Sequence, residues 1–209
     1  MGQSLQFGCI MVTKPMPRAA RIIIPGVAHH VTQRGNRQQK LFFSDDDRRA
    51  YIQILSAALK RSETRCLAWC LMDNHIHLML VPQHADGLRA SLSSTHTTYA
   101  QRINQREQMT GHLFQGRYAS FAMDDRHMMV AARYIENNPV TAGIVESAED
   151  WRWSSACAHI DQRDDGLTDW NAIGQHVPNW RAMLVDGLEA GALVELHLKT
   201  GQPLGKPMR

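Results

Sequence analysis

The chain has 209 residues, 44% of them apolar, and a formal net charge of +3. That is enough apolar mass for a core without staples, and no run approaches the ~18 apolar residues of a membrane span. The charge is uneven: residues 1–140 carry 17 Lys and Arg against 10 Asp and Glu, and residues 141–209 carry 6 against 10. A basic body with an acidic C-terminal part points to a polyanionic partner, although a solvated basic surface fits the charge alone equally well. The four cysteines, Cys9, Cys66, Cys70 and Cys157, form no CxxC pair. They read as reduced thiols, and the protein as cytoplasmic with no membrane partner.

In chain order, residues 1–16 read as a disordered or mis-started leader, with Met11 and Met16 as candidate natural starts. Ile22, Ile23 and Ile24 give the first strand signal and end at the Pro25-Gly26 turn. A strand follows over 28–33, with His29, Val31 and Gln33 on one face and His30 and Thr32 on the other. Neither His29 nor His30 can be assigned to the core from this alone. Arg34-Gly35-Asn36-Arg37 closes the strand with turn chemistry. Ser44 is an N-cap with acids behind it, opening a helix to about Arg61. Residues 66–72 and 75–81 read as strands joined at Asp73-Asn74, and 86–108 as a long helix. Residues 118–123 form a short strand, and a helix starts at Asp124-Asp125. Pro139 disfavours helix at Asn138, so that helix ends close to there. Trp151 and Trp153 are expected to pack their indoles on the body. Residues 159–209 read as a helical extension. The order predicts an α+β fold, a ferredoxin-like α/β sandwich with a mostly antiparallel sheet and helices on one face.

Two features carry chemistry. In Asn74-His75-Ile76-His77-Leu78, strand alternation points His75 and His77 the same way and Ile76 the other. Two neutral imidazoles on a rigid strand make half of a divalent-metal site, although such a pair read alone is more often just hydrogen-bonded. Tyr134 and Asn138, four apart at a helix end, share a face and present a phenol and an amide oxygen together. On spacing alone they read as a packed aromatic and a helix-ending residue.

The segments PGVAHHVTQRGNR (25–37), WCLMDNHIHL (69–78), GHLFQGRY (111–118), YIENNPV (134–140) and WRWSS (151–155) arise in one order. Together they resemble the HUH single-tyrosine transposases, most closely the REP-associated tyrosine transposase branch. The resemblance spans residues 17–158, which it marks as an HUH-fold transposase domain. TGQPLG at 200–205 resembles a segment in the extension of longer relatives, where the chain usually continues beyond the position of Arg209.

The resemblance implies that His75 and His77 are metal ligands, Asn138 a third, polar ligand, and Tyr134 the catalytic nucleophile. It implies Mg2+ or Mn2+ as cofactor. The implied partner is single-stranded DNA folded into a hairpin, cleaved and rejoined through a 5′-phosphotyrosine by a monomer or homodimer. Arg34, Asn36, Arg37, Gln115 and Arg117 are the candidate DNA contacts, because arginine bridges phosphates or reads guanine edges. Two rival readings share the fold class: a domesticated hairpin-binding protein without strand transfer, and a metal-dependent phosphodiesterase using water. A pure binder needs neither the histidines nor Tyr134, and water-using enzymes bring more carboxylates than the lone Asp73 near the pair.

Overall fold

The computed structural model describes residues 22–186. The expected leader at 1–16, its candidate starts, Cys9, the last part of the expected extension and the motif at 200–205 lie outside the described residues.

Four strands form one sheet: β1 His29–Arg34, β2 Thr64–Leu71, β3 His75–Pro82 and β4 Ala119–Ala122. Their order is β2-β3-β1-β4, every pair antiparallel. Helix α1, Asp45–Arg61, links β1 to β2, and α2, Gly87–Arg106, links β3 to β4. Helix α3, Asp125–Glu136, follows β4. This is the βαββαβ order of a ferredoxin-like sandwich, and the expected α+β class holds.

Local chemistry explains each helix. Ser44 caps α1, accepting from the Asp47 N–H, while Asp47 returns a bond to the Ser44 N–H at 3.0 Å, so two otherwise orphaned donors are satisfied. Asp124 caps α3 by accepting from the His127 N–H at 3.1 Å. Helix α3 stops at Glu136, and a separate turn α4, Asn138–Thr141, restarts with Pro139 in its first turn, where a missing N–H costs nothing.

The helices cover both faces of the sheet, contrary to the expectation of one. Tyr51, Leu55 and Leu59 of α1 and Leu88, Leu92 and Tyr99 of α2 pack on Val31, Ile76, Leu78 and Leu80. Ala131, Ala132 and Ile135 of α3 pack on Ala68, Cys70, Met79 and Val81. The reason is in the strands: β2 and β3 are buried along nearly their whole length, so both faces need cover.

Ile22–Ile24 is not a strand. Both edges of β1 are already taken by β3 and β4, so no partner remains for a fifth strand there. Instead the Ile24 N–H donates to His29 Nε2 at 3.3 Å.

The described C-terminal part, from residue 151 on, consists of short helices α5 Ala156–Ile160, α6 Asn171–Gly174 and α7 Trp180–Val185, the last two within the expected extension. Its connecting segments cap the outer edge of β2. The Leu71 N–H donates to Trp153 O and the Ser155 N–H to Trp69 O, both at 2.9 Å, and the Asp169 N–H to Cys66 O at 2.8 Å. Trp153 is buried and its Nε1–H reaches Asp45 at 3.1 Å. The exposed strand edge is thereby removed. Cys66, Cys70 and Cys157 are free thiols.

Candidate functional site

His75 and His77 stand on the α3 face of β3, as alternation requires, with Ile76 in the opposite core. Across the sheet Thr32 of β1 lies in register with His77, so His30 and Thr32 share this face. Helix α3 brings the Tyr134 ring edge-on to His77, 5.4 Å between centroids at 90°. It also lies 6.0 Å from His30. The turn after α3 delivers Asn138, whose Oδ1 is 3.2 Å from His75 Nε2 and whose Nδ2 is 3.3 Å from His77 Nε2. Residues more than fifty positions apart in sequence therefore meet in one place.

They line an open cleft of about 760 Å³ that also takes in Thr32, Gln33, Arg34, Gln115 and Arg117. Among the described residues no Asp or Glu lines it. Asp73, the acid nearest in sequence, instead binds Arg48 and Lys40. Arg34, Gln115 and Arg117 are exposed, and the Gln115 N–H donates to Arg34 O at 2.8 Å, fixing the 111–118 loop beside the end of β1. Asn36 and Arg37 are not brought into the cleft. They occupy a 3₁₀ turn over Asn36–Gln38 whose Asn36 N–H donates to Leu113 O at 2.8 Å.

The electrostatics keep the histidines neutral. Burial, then the Arg34 guanidinium, lowers the His75 pKa against a hydrogen bond with Asn138 that raises it. Burial, with His30, His75 and Arg34 adding to it, holds His77 well below the usual imidazole value. A neutral imidazole offers a lone pair to a metal.

Each ring also has a partner on its far side. His75 Nδ1 is 2.7 Å from Asn74 Oδ1, and His77 Nδ1 is 3.0 Å from His30 Nε2. In metal sites such far-side bonds set which ring nitrogen carries the proton. Two imidazole nitrogens and an amide oxygen form a mixed N/O donor set, open to Mg2+ or Mn2+ and equally to zinc or nickel, and Asn138 Oδ1 lies 3.2 Å from His75 Nε2. Among the described residues no group of three His, Cys, Asp or Glu side chains converges on a metal position.

His30 is the residue at this site to which the sequence assigns no role. A signal for it was present: His30-Val31-Thr32 alternates as His75-Ile76-His77 does, but which of the adjacent His29 and His30 faces the site is decided by strand register.

Comparison with known proteins gives a fold and a family. No curated protein matches the chain. One solved structure is that of a REP-associated tyrosine transposase bound to a REP hairpin. It is 20% identical with a TM-score of 0.54, covering 67% of this chain and 82% of that one. A second, a putative transposase from Deinococcus radiodurans R1, is 17% identical with a TM-score of 0.41, over 58% of this chain and 97% of that one. The fold is that of the REP-associated protein. The family model described as "Transposase IS200 like" matches residues 25–138, a stretch that holds all four strands, the histidine pair, Tyr134 and Asn138. The chain belongs to the IS200-like transposase family.

Proposed function

We propose that the protein binds single-stranded DNA folded into a REP-like hairpin and cleaves and rejoins it through Tyr134. The observation that carries this reading is the meeting of Tyr134, His75, His77 and Asn138 in one open cleft that has arginines at its mouth and, among the described residues, no carboxylate. His75, His77 and Asn138 would hold Mg2+ or Mn2+. When bound, such an ion supplies Lewis-acid polarisation of a phosphate oxygen.

The chain's own groups do the rest. Arg34 and Arg117 draw the DNA backbone to the cleft and neutralise it, with Gln115 beside them and Asn36 and Arg37 flanking. The Tyr134 oxygen attacks phosphorus in line. The phenol loses its proton as the O–P bond to tyrosine forms, the P–O3′ bond breaks, and the departing 3′-oxygen takes up one proton from solvent, so no net proton is consumed. The 5′-phosphotyrosine conserves the phosphodiester bond energy, so attack by another 3′-hydroxyl reverses the step and joins strands. Among the described residues no carboxylate lines the cleft to serve a water nucleophile as base, which favours tyrosine over hydrolysis.

Incubating labelled hairpin DNA with protein and Mg2+ tests this directly. A slow-migrating covalent band is expected, and Tyr134→Phe is expected to abolish it. Undiminished adducts in the variant would reject Tyr134 as the nucleophile. Binding without cleavage would favour the hairpin-binding protein, and free 5′-phosphate ends the water-using enzyme.

A further inference from the structure

His30 is fully buried on β1, one diagonal step across the sheet from His77. Its Nε2 is 3.0 Å from His77 Nδ1. The two ring centroids are 5.3 Å apart with planes 24° from parallel. That separation is the N–N distance plus the two ring radii, so the bond lies nearly in both ring planes, the favoured direction for an imidazole lone pair.

The direction of the bond follows from the other side of His77. The Asn138 amide nitrogen is 3.3 Å from His77 Nε2. That contact has Nε2 accepting as the amide is placed, and a cation held at the cleft needs the same Nε2 lone pair, so on the metal-dependent reading the ring's single proton sits on Nδ1. His77 Nδ1–H therefore donates to His30 Nε2. The opposite tautomer would aim an N–H at the cleft and remove His77 as a donor to a cation.

We propose that His30 is a positioning residue: by accepting the His77 Nδ1–H it fixes the tautomer and ring plane that turn the His77 Nε2 lone pair to the cleft. This rests on the metal-dependent reading given above. The same ring lies edge-on to Tyr134, 6.0 Å between centroids.

Mn2+ binding, followed by electron paramagnetic resonance on the whole protein without DNA, tests this. His30→Leu keeps bulk and removes the acceptor; His30→Gln places an oxygen close to the position of Nε2. His30→Leu is expected to weaken Mn2+ binding about tenfold or more, with His30→Gln recovering most of the loss. A purely structural role would lower the melting temperature of the variants and leave the Mn2+ affinity unmoved. Equal affinity for wild type and His30→Leu, or a Gln variant no better than Leu, overturns the proposal and leaves the metal reading standing. Absence of Mn2+ binding by the wild type overturns both. Nitrogen-15 NMR of the wild-type imidazoles keeps the proposal testable if His30→Leu does not fold: the His77 proton is expected on Nδ1, and a proton on Nε2 overturns it.

Discussion

Gly35 shows how closely the site-bearing strand meets its turn. Its φ of −63° is ordinary, so conformational freedom is not the reason for a glycine. Space is: a Cβ there would fall on the Gln39 carbonyl oxygen, well inside contact distance. Backbone cannot yield as a side-chain tip can, so Gly35→Ala is expected to push the 36–39 turn away and cost about 1–3 kcal/mol. Urea unfolding measures that loss, and an unchanged midpoint would reject the argument. At this scale His75 and His77 were legible because a period of two alone fixes their common side. Gly35 was legible only as turn chemistry, since its contact is with an oxygen four residues on. The placement of Asn36 and Arg37 outside the cleft depends on Leu113, a partner no local pattern announces.

Helix α3 is held from behind. Glu136, fully buried, accepts from Ser155 Oγ at 2.5 Å, from His159 Nδ1 at 2.7 Å and from Trp180 Nε1 at 2.7 Å. Asn137 Nδ2 donates to Leu184 O at 2.7 Å, and the His159 and Trp180 rings stack 4.0 Å apart. Residues adjacent to Tyr134 and Asn138 are thus tied to α5 and α7. Glu136→Ala leaves three buried donors without their acceptor and is expected to destabilise the fold by roughly 3 kcal/mol or more. Denaturant unfolding checks this; a loss below about 1 kcal/mol would show the network to be slack. The helix was legible from its cap and apolar spacing. Its clamp was not, because α5, α6 and α7 are too short to show a helical period, and a lone Glu136 in a helix reads from sequence as solvent-facing.

Two cores flank one sheet, and several imidazoles are sealed in or beside them. His96, between Tyr51 and Phe114, is pushed by burial to about 3, and His29, His75 and His77 are lowered as well, burial being the largest cause in each. The unfolded chain protonates these groups as pH falls below the ordinary value of 6.5, whereas the folded chain resists, His96 down to about 3. The unfolded state then binds more protons, so stability is fully present above that value and falls with pH through the window. Each such histidine contributes a slope of up to ~1.4 kcal/mol per pH unit. Unfolding free energies at pH 7 and pH 4.5 test this, and equal values would reject it. The element order was legible; the second helical layer was not, because it needs both faces of β2 and β3 to be recognised as buried. The cover on the outer edge of β2 has a consequence in time. A ribosome that has just passed residue 150 has made every strand and every residue of the cleft, while the segments that seal β2 are still unwritten. At about 5–20 residues per second, the segments that cover that edge follow the strands by a second or more, so it is the last part of the described sheet to be closed.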